Sequence, residues 1–554
     1  MIHPRRKIQR HKAAMTLAVA MGVVVFHDSA PIVASPPLRT GLAAANESNP
    51  QQFDDALHAW DLTAAQRSVE KTQDPDQQSL RRGILAVYAA SYEQAQDLLV
   101  EVLSRDQLGP DDRQRAQHYL AIAHGAQAAL GDALTSTSGD GRFELVVANP
   151  ADRVLAPYLF TAMSAAYEAL GTDLGVRPNG PVRFEFLDDP AKLALVTPLS
   201  LNAIYTTGTV GITKYRRVMM ITPRVMLHGY AWIDTAVHEY VHYLVTLRTR
   251  NKAPVWLQEG LAKLLETRWR RKTPAPPSPR TTALLHDAIT EDALVTLEEM
   301  HPSIAMLPSQ EKAALAYAEV ETMLGLLYER SGPTALGEVM DAVAAGADAK
   351  SAMARAWGDD FEVFLTHWKT TYRRRGAMRD PVRGSSHGPL RFRDPDNDPA
   401  DDNDLAGDIF SHLGGGKARQ HARLGVLLTL RDKPEAAVLE YERARKVGKK
   451  HAQDPQLARR LGDLYLTLGH AAKALPLLIL AGDAEPDNAN IAAAEGRARL
   501  ATGDRIGARI ALQRALAINP FIPTLSCDLA QVAQNDEERA RERSRCRISA
   551  PQQR

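Results

Sequence analysis

The amino-acid sequence predicts a multidomain chain, an α+β central domain flanked on both sides by all-α helical regions. Three observations carry this. Residues 53–135 place apolar side chains at i, i+3, i+4 and i+7 with few β-branched residues between them, which is the helical period. Residues 141–375 mix short alternating runs such as FELVV, VRFEFL and VMMIT with long amphipathic stretches, an α+β layout. Residues 413–546 turn helical again and repeat themselves at a fixed interval. A chain of 554 residues has room for this, since a single core seldom grows past about 250–300 residues.

Ahead of the first helical region, Arg5, Arg6, Lys7, Arg10, His11 and Lys12 precede the apolar run Ala13 to Phe26, and small residues follow around Ala30 and Ala34. A basic start, a short apolar stretch and a small-residue exit predict an export signal over residues 1–34, or a retained N-terminal anchor. The run is short for a membrane span, which takes about 20 residues. The chain is expected in the periplasm or outside the cell, or held to the inner membrane by that segment alone. A formal net charge of +1 creates no overall field for nucleic acid, and none is expected as a partner. The two cysteines, Cys527 and Cys546, can close one disulfide in an exported protein, worth about 3 kcal/mol in the chain-entropy model. In a reducing compartment they would be two thiols.

Within 53–135, the segments DALHAWDLTAAQRSVEK and RRGILAVYAASYEQAQDLLVEVLSR carry alanines such as Ala89, Ala90 and Ala95 where helices would pack closely. They loosely resemble tetratricopeptide units, with a plain helical bundle as the alternative. STSGD at 136–140 breaks the pattern. Strands are predicted at Phe143–Val147, Val182–Leu187 and Val218–Thr222, with a helix from about Val154 to Leu174 between the first two. A helix from about Ala231 to Thr246 follows, then Pro254, then a second helix from Trp256 to Glu266. After the excursion Pro274 to Pro279, helices resume and run to about residue 375.

Residues 376–412 include DPDNDPADDND, an acidic, apolar-poor linker. Asp394, Asp396 and Asp398 resemble a calcium loop, but Pro399 stands where such loops need glycine, so calcium is not expected. Further on, Gly462, Gly469, Ala474 and Pro486 recur thirty-four residues later as Gly496, Gly503, Ala508 and Pro520, with a looser copy from Leu424 and Gly425. This period resembles the tetratricopeptide repeat, whose stacked helix pairs form a curved surface for a protein partner.

The chemistry concentrates in Val237 to Lys263, VHEYVHYLVTLRTRNKAPVWLQEGLAK. His238 and His242 stand four apart, on one face of a helix, where two imidazoles can reach one metal ion. Glu239 lies beside them, placed to take a proton from an activated water. Glu259, seventeen residues after His242, supplies a third ligand, and two histidines with one glutamate is a set that catalytic zinc uses.

HExxH followed by PVWLQEGLAK resembles the gluzincin metallopeptidases, whose glutamate lies in a W-x-x-E-G-x-A helix. More narrowly, it is similar to bacterial peptidase MA-family metallohydrolases, which often carry tetratricopeptide repeats. The resemblance covers about residues 141–375 and is strongest over 204–266. It implies a zincin-like fold, one zinc ion on His238, His242 and Glu259, Glu239 as catalytic base, and a polypeptide substrate. It also implies an aromatic oxyanion donor on a later helix, for which Tyr317 is the candidate, with a core tyrosine as the alternative. The strand Val218, Met219, Met220, Ile221 stands where the substrate-pairing edge strand lies in such folds. One departure matters. Some gluzincins place a carboxylate four residues after the glutamate ligand to orient a histidine, and here that residue is Lys263, leaving Asp234 or Glu266 for the task. Two rival readings stay open, an interaction scaffold with an inactive core and a hydrolase of a non-peptide amide.

Overall fold

The computed structural model describes residues 50–377, except 106, 227 and 228, together with 410, 413 and 416–549. The expected export segment and the acidic linker with Asp394, Asp396 and Asp398 fall outside the described residues. Among those described, no helix is long and apolar enough to cross a membrane.

Five helices open the described chain, Pro50–His58, Leu62–Glu70, Pro75–Tyr88, Tyr92–Ser104 and Pro110–Leu130. Two of their starts are set locally. Asp61 accepts from the Ala64 amide, and Asp74 accepts from Asp76 and Gln77 ahead of a helix that begins with proline. The central domain follows with five strands among the described residues: β1 (Leu134–Thr137), β2 (Phe143–Val147), β3 (Val182–Leu187), β4 (Gly211–Lys214) and β5 (Arg217–Ile221). The sheet order is β1-β2-β3-β5-β4. Strands β2, β3 and β5 run parallel, while β1 and β4 are antiparallel edges.

The expected edge strand is corrected by this order. Val218, Met219, Met220 and Ile221 lie inside the sheet, with Phe184 opposite Val218 on one side and Ile212 opposite Met219 on the other. The cause is a two-residue hairpin. Tyr215 and Arg216 adopt φ of 51° and 60°, the doubly left-handed turn that matches strand twist, and so β4 folds back along β5. The edge on this side is β4.

Alternation along the strands serves two cores. Phe184, Val218 and Met220 face the helix Ala156–Asp173 and the helix Trp232–Thr249, while Leu187, Ile212, Met219 and Ile221 face Ala126, Ala129 and Leu130 from the N-terminal helices. The sheet is therefore covered on both sides.

C-terminal helices pair as Lys417–Leu430 with Pro434–Lys446, Pro455–Thr467 with Ala471–Ala484, and Ala489–Ala501 with Arg505–Ile518. Each pair closes over a glycine. A Cβ on Gly425, Gly462 or Gly496 would lie 2.9, 2.9 or 2.6 Å from Tyr441, Leu478 or Leu512, in each case the residue sixteen further on. The last pair, Leu525–Gln531 and Asp536–Ser549, is joined by the disulfide Cys527–Cys546.

Candidate metal centre

The helix Trp232–Thr249, here called the metal helix, is buried almost all round, with Val237, Val241, Leu244 and Val245 fully inside. It ends where Arg250 and Asn251 turn left-handed (φ 53° and 58°), and the chain returns as the glutamate helix, Val255–Leu265. Gly260, next to Glu259, permits a third layer. A Cβ there would lie 2.8 Å from the Val320 carbonyl, so the helix Gln310–Ser331 packs directly on the glutamate helix.

This return brings His238, His242 and Glu259 together. Glu259 Oε2 lies 3.4 Å from His238 Nε2 and 3.5 Å from His242 Nε2, and one ligand atom from each of the three residues falls within 4.8 Å of the others. His238 and His242 are 3% and 1% exposed, and Glu259 is fully buried. Among the described residues neither Nε2 nor either Glu259 oxygen has a hydrogen-bond partner, an arrangement that costs free energy unless something else satisfies it. Zinc fits. Arms of about 2.0–2.1 Å in tetrahedral array put ligand atoms about 3.3–3.4 Å apart, close to the two distances between Glu259 and the histidines.

Protonation follows the same contacts. Burial pulls His238 down, but the carboxylates of Glu259 and Glu266 outweigh it and raise its pKa to about 9. Burial pushes Glu259 up, yet His242 and His238 hold it below the usual carboxylate range. A bound cation would take the place of the proton the cluster attracts.

Glu239 is held by the edge strand, a feature the sequence reading missed. The Thr213 hydroxyl lies 2.7 Å from Glu239 Oε2 and 2.8 Å from the Glu239 carbonyl oxygen. Gly211, two residues earlier on the same face, makes room: a Cβ there would sit 2.8 Å from Glu239 Oε1, which has no hydrogen-bond partner among the described residues. Burial raises the Glu239 carboxyl, with His242 and His238 only partly offsetting it. The available signal was the alternation Gly-x-Thr in VGITK, a small residue and a hydroxyl on one face of a strand.

The two carboxylates weighed as orienters part company. Glu266 Oε2 accepts from His238 Nδ1 at 3.2 Å, and Lys263 Nζ donates to Glu266 Oε1 at 2.6 Å. Asp234, one turn before His238, accepts instead from Trp269 Nε1 at 2.7 Å and pairs with Arg270 at 2.5 Å, tying the start of the metal helix to the chain beyond the glutamate helix. Tyr317 is buried in the main core on the helix Gln310–Ser331.

The model of the Peptidase MA superfamily matches residues 162–373, well under half of the chain, and includes all four of His238, Glu239, His242 and Glu259. No curated protein matches. Among solved structures, native yeast LTA4 hydrolase is similar at 13% identity over 75% of this chain, with a TM-score of 0.28. This chain spans 66% of that hydrolase, just under two thirds. The APC/C hetero-tetramer Cut9-Hcn1 is similar at 13% identity over 87% of this chain and 95% of that one, with a TM-score of 0.20. Scores this low leave the fold to be argued from the chain's own elements. The superfamily match and the His/His/Glu cluster meet on the same residues, in a peptidase-MA-like domain flanked by helical regions.

Proposed function

We propose that this chain is an exported zinc-dependent metallopeptidase of the gluzincin type that cleaves peptide bonds. The observation that carries the reading is the convergence of His238, His242 and Glu259 through buried atoms with no hydrogen bonds among the described residues, beside a carboxylate, Glu239, with one oxygen likewise uncommitted. Zinc held by those three residues would polarise a carbonyl and bring a water's pKa to about 7. Glu239 does the proton work. Thr213 fixes Oε2, so Oε1 is the oxygen that accepts the water proton and returns it to the leaving amine. Burial holds the carboxyl above the usual carboxylate range, the direction that helps a group which must both take and return a proton.

The substrate is an extended polypeptide. Among the described residues β4 has a strand on one side only, and its inner face carries Thr213 against the base, so a peptide added to its outer edge would lie beside the reacting groups. Tyr317 is the candidate oxyanion donor. The C-terminal helix pairs are read as tetratricopeptide repeats offering a surface to a protein partner, and residues 1–34 as the export signal or anchor.

Metal analysis and a peptide library test this. Protein purified without chelators is expected to hold one zinc per chain, and Glu239→Gln is expected to keep the metal while losing about a hundred- to ten-thousand-fold in turnover. Absence of zinc sinks the reading. Zinc without any peptide hydrolysis favours the scaffold, and cleavage confined to non-peptide amides favours the third reading.

A further inference from the structure

The position that departs from the gluzincin pattern is itself part of the site. Glu266 lies seven residues beyond Glu259, two turns along the same face, and must reach the His238 ring with a side chain that has three rotatable bonds. A carboxylate so placed orients a ring more firmly when its second oxygen is also fixed. Lys263 supplies that anchor. Its Nζ lies 2.6 Å from Glu266 Oε1 while Oε2 receives His238 Nδ1 at 3.2 Å, so one carboxylate bridges an ammonium and an imidazole. The other histidine has no such brace, since His242 Nδ1 has no hydrogen-bond partner among the described residues. The orientation of the ligand set therefore depends on the one ring that is held.

Charge points the same way. Glu239, Glu259 and Glu266 crowd a buried volume, and Glu321 and Asp234 add to the negative field around Lys263. A carboxylate at position 263 would add one more negative charge; a lysine neutralises one. Its side chain is 30% exposed, against 13% for Glu266.

We infer that Lys263 is a positioning residue for the metal centre: it holds Glu266 so that His238 presents Nε2 to zinc. The inference rests on the zinc reading above. The test measures zinc affinity by chelator competition, and the d–d absorption spectrum of the cobalt-substituted protein, for wild type, Lys263→Met, Lys263→Arg, Glu266→Gln and the Lys263→Met/Glu266→Gln double variant. Thermal melts of the metal-free proteins report folding separately. Lys263→Met and Glu266→Gln are each expected to weaken zinc binding about ten- to a hundredfold. The double variant should be no weaker than Glu266→Gln alone, Lys263→Arg should restore affinity, and the cobalt spectrum should change in the weakened variants only. Zinc affinity in Lys263→Met within twofold of wild type, or losses that multiply in the double variant, would overturn the role of Lys263 and leave the zinc reading standing. A wild-type protein that binds no zinc would remove both.

Discussion

The two helical flanks meet the central domain in different ways. The N-terminal helices share its cores: Ile84, Val87 and Tyr88 belong to one apolar cluster with Phe184, Val218 and the metal helix, and Leu130 belongs to another with Met219. Polar contacts are buried there too. Arg217, 1% exposed, donates to the Val87 carbonyl at 2.8 Å and pairs with Glu185, which also accepts from Tyr92 at 2.8 Å. The C-terminal helices instead fill clusters of their own, around Tyr441 and Leu478 and around Leu512 and Leu525. They touch the central domain along a seam. Tyr230 N donates to the Ile518 carbonyl and Trp232 Nε1 to the Leu516 carbonyl, both at 3.1 Å, and Tyr158 donates to Glu542 at 2.9 Å under the Arg545 guanidinium. Gly229 is required at this seam, for its φ is +76° and a Cβ would lie 2.5 Å from the Ile518 oxygen.

The difference teaches what each flank is for. Helices that bury one face of the sheet are part of the unit that folds, whereas helix pairs that bury their own faces are an attached body. Yet the seam of that body falls on the segment leading into the metal helix, so the attachment is placed where it can steady the site.

Cutting into the shared core should do most damage. Arg217→Met leaves Glu185 buried with only Tyr92 and Arg183 for partners, and should cost about 3 kcal/mol in denaturant melts; a loss under 1 kcal/mol would mean the N-terminal flank is as separable as the C-terminal one. Replacing both Cys527 and Cys546 with serine should lower the stability of the C-terminal helices by up to about 3 kcal/mol, seen as earlier loss of hydrogen-exchange protection over residues 489–549. The central sheet should keep its protection, and joint loss would break the distinction between the flanks. Tyr158→Phe removes one hydrogen bond to a charged group and should cost about 1–2 kcal/mol. Its sharper readout is exchange at residues 229–236, expected to rise if the seam steadies the metal helix and to stay unchanged if the seam is passive.

Much of the architecture could be read in advance because it is written in local spacing. His238 and His242 share a face by the helical period, and the strands at 143–147 and 182–187 announce themselves by alternation. The strands β1 and β4 were missed, since four residues carry too little pattern to stand out from the turns beside them. Missing β4 misplaced the edge of the sheet and hid Thr213 and Gly211. The choice between Asp234 and Glu266 was equally out of reach, because both have the right chemistry and only the crossing of two helices selects one.

By itself the sequence determined the ligand-capable residues, the helices that carry them and the periodic pairing of the C-terminal region, all properties of neighbours within a few turns. Tertiary structure alone decided which strand forms the edge, which carboxylate braces His238, what grips Glu239 and where the C-terminal helices rest. Each of these joins segments tens to hundreds of residues apart, where the outcome depends on strand order, helix crossing and the fit of whole faces rather than on any local period.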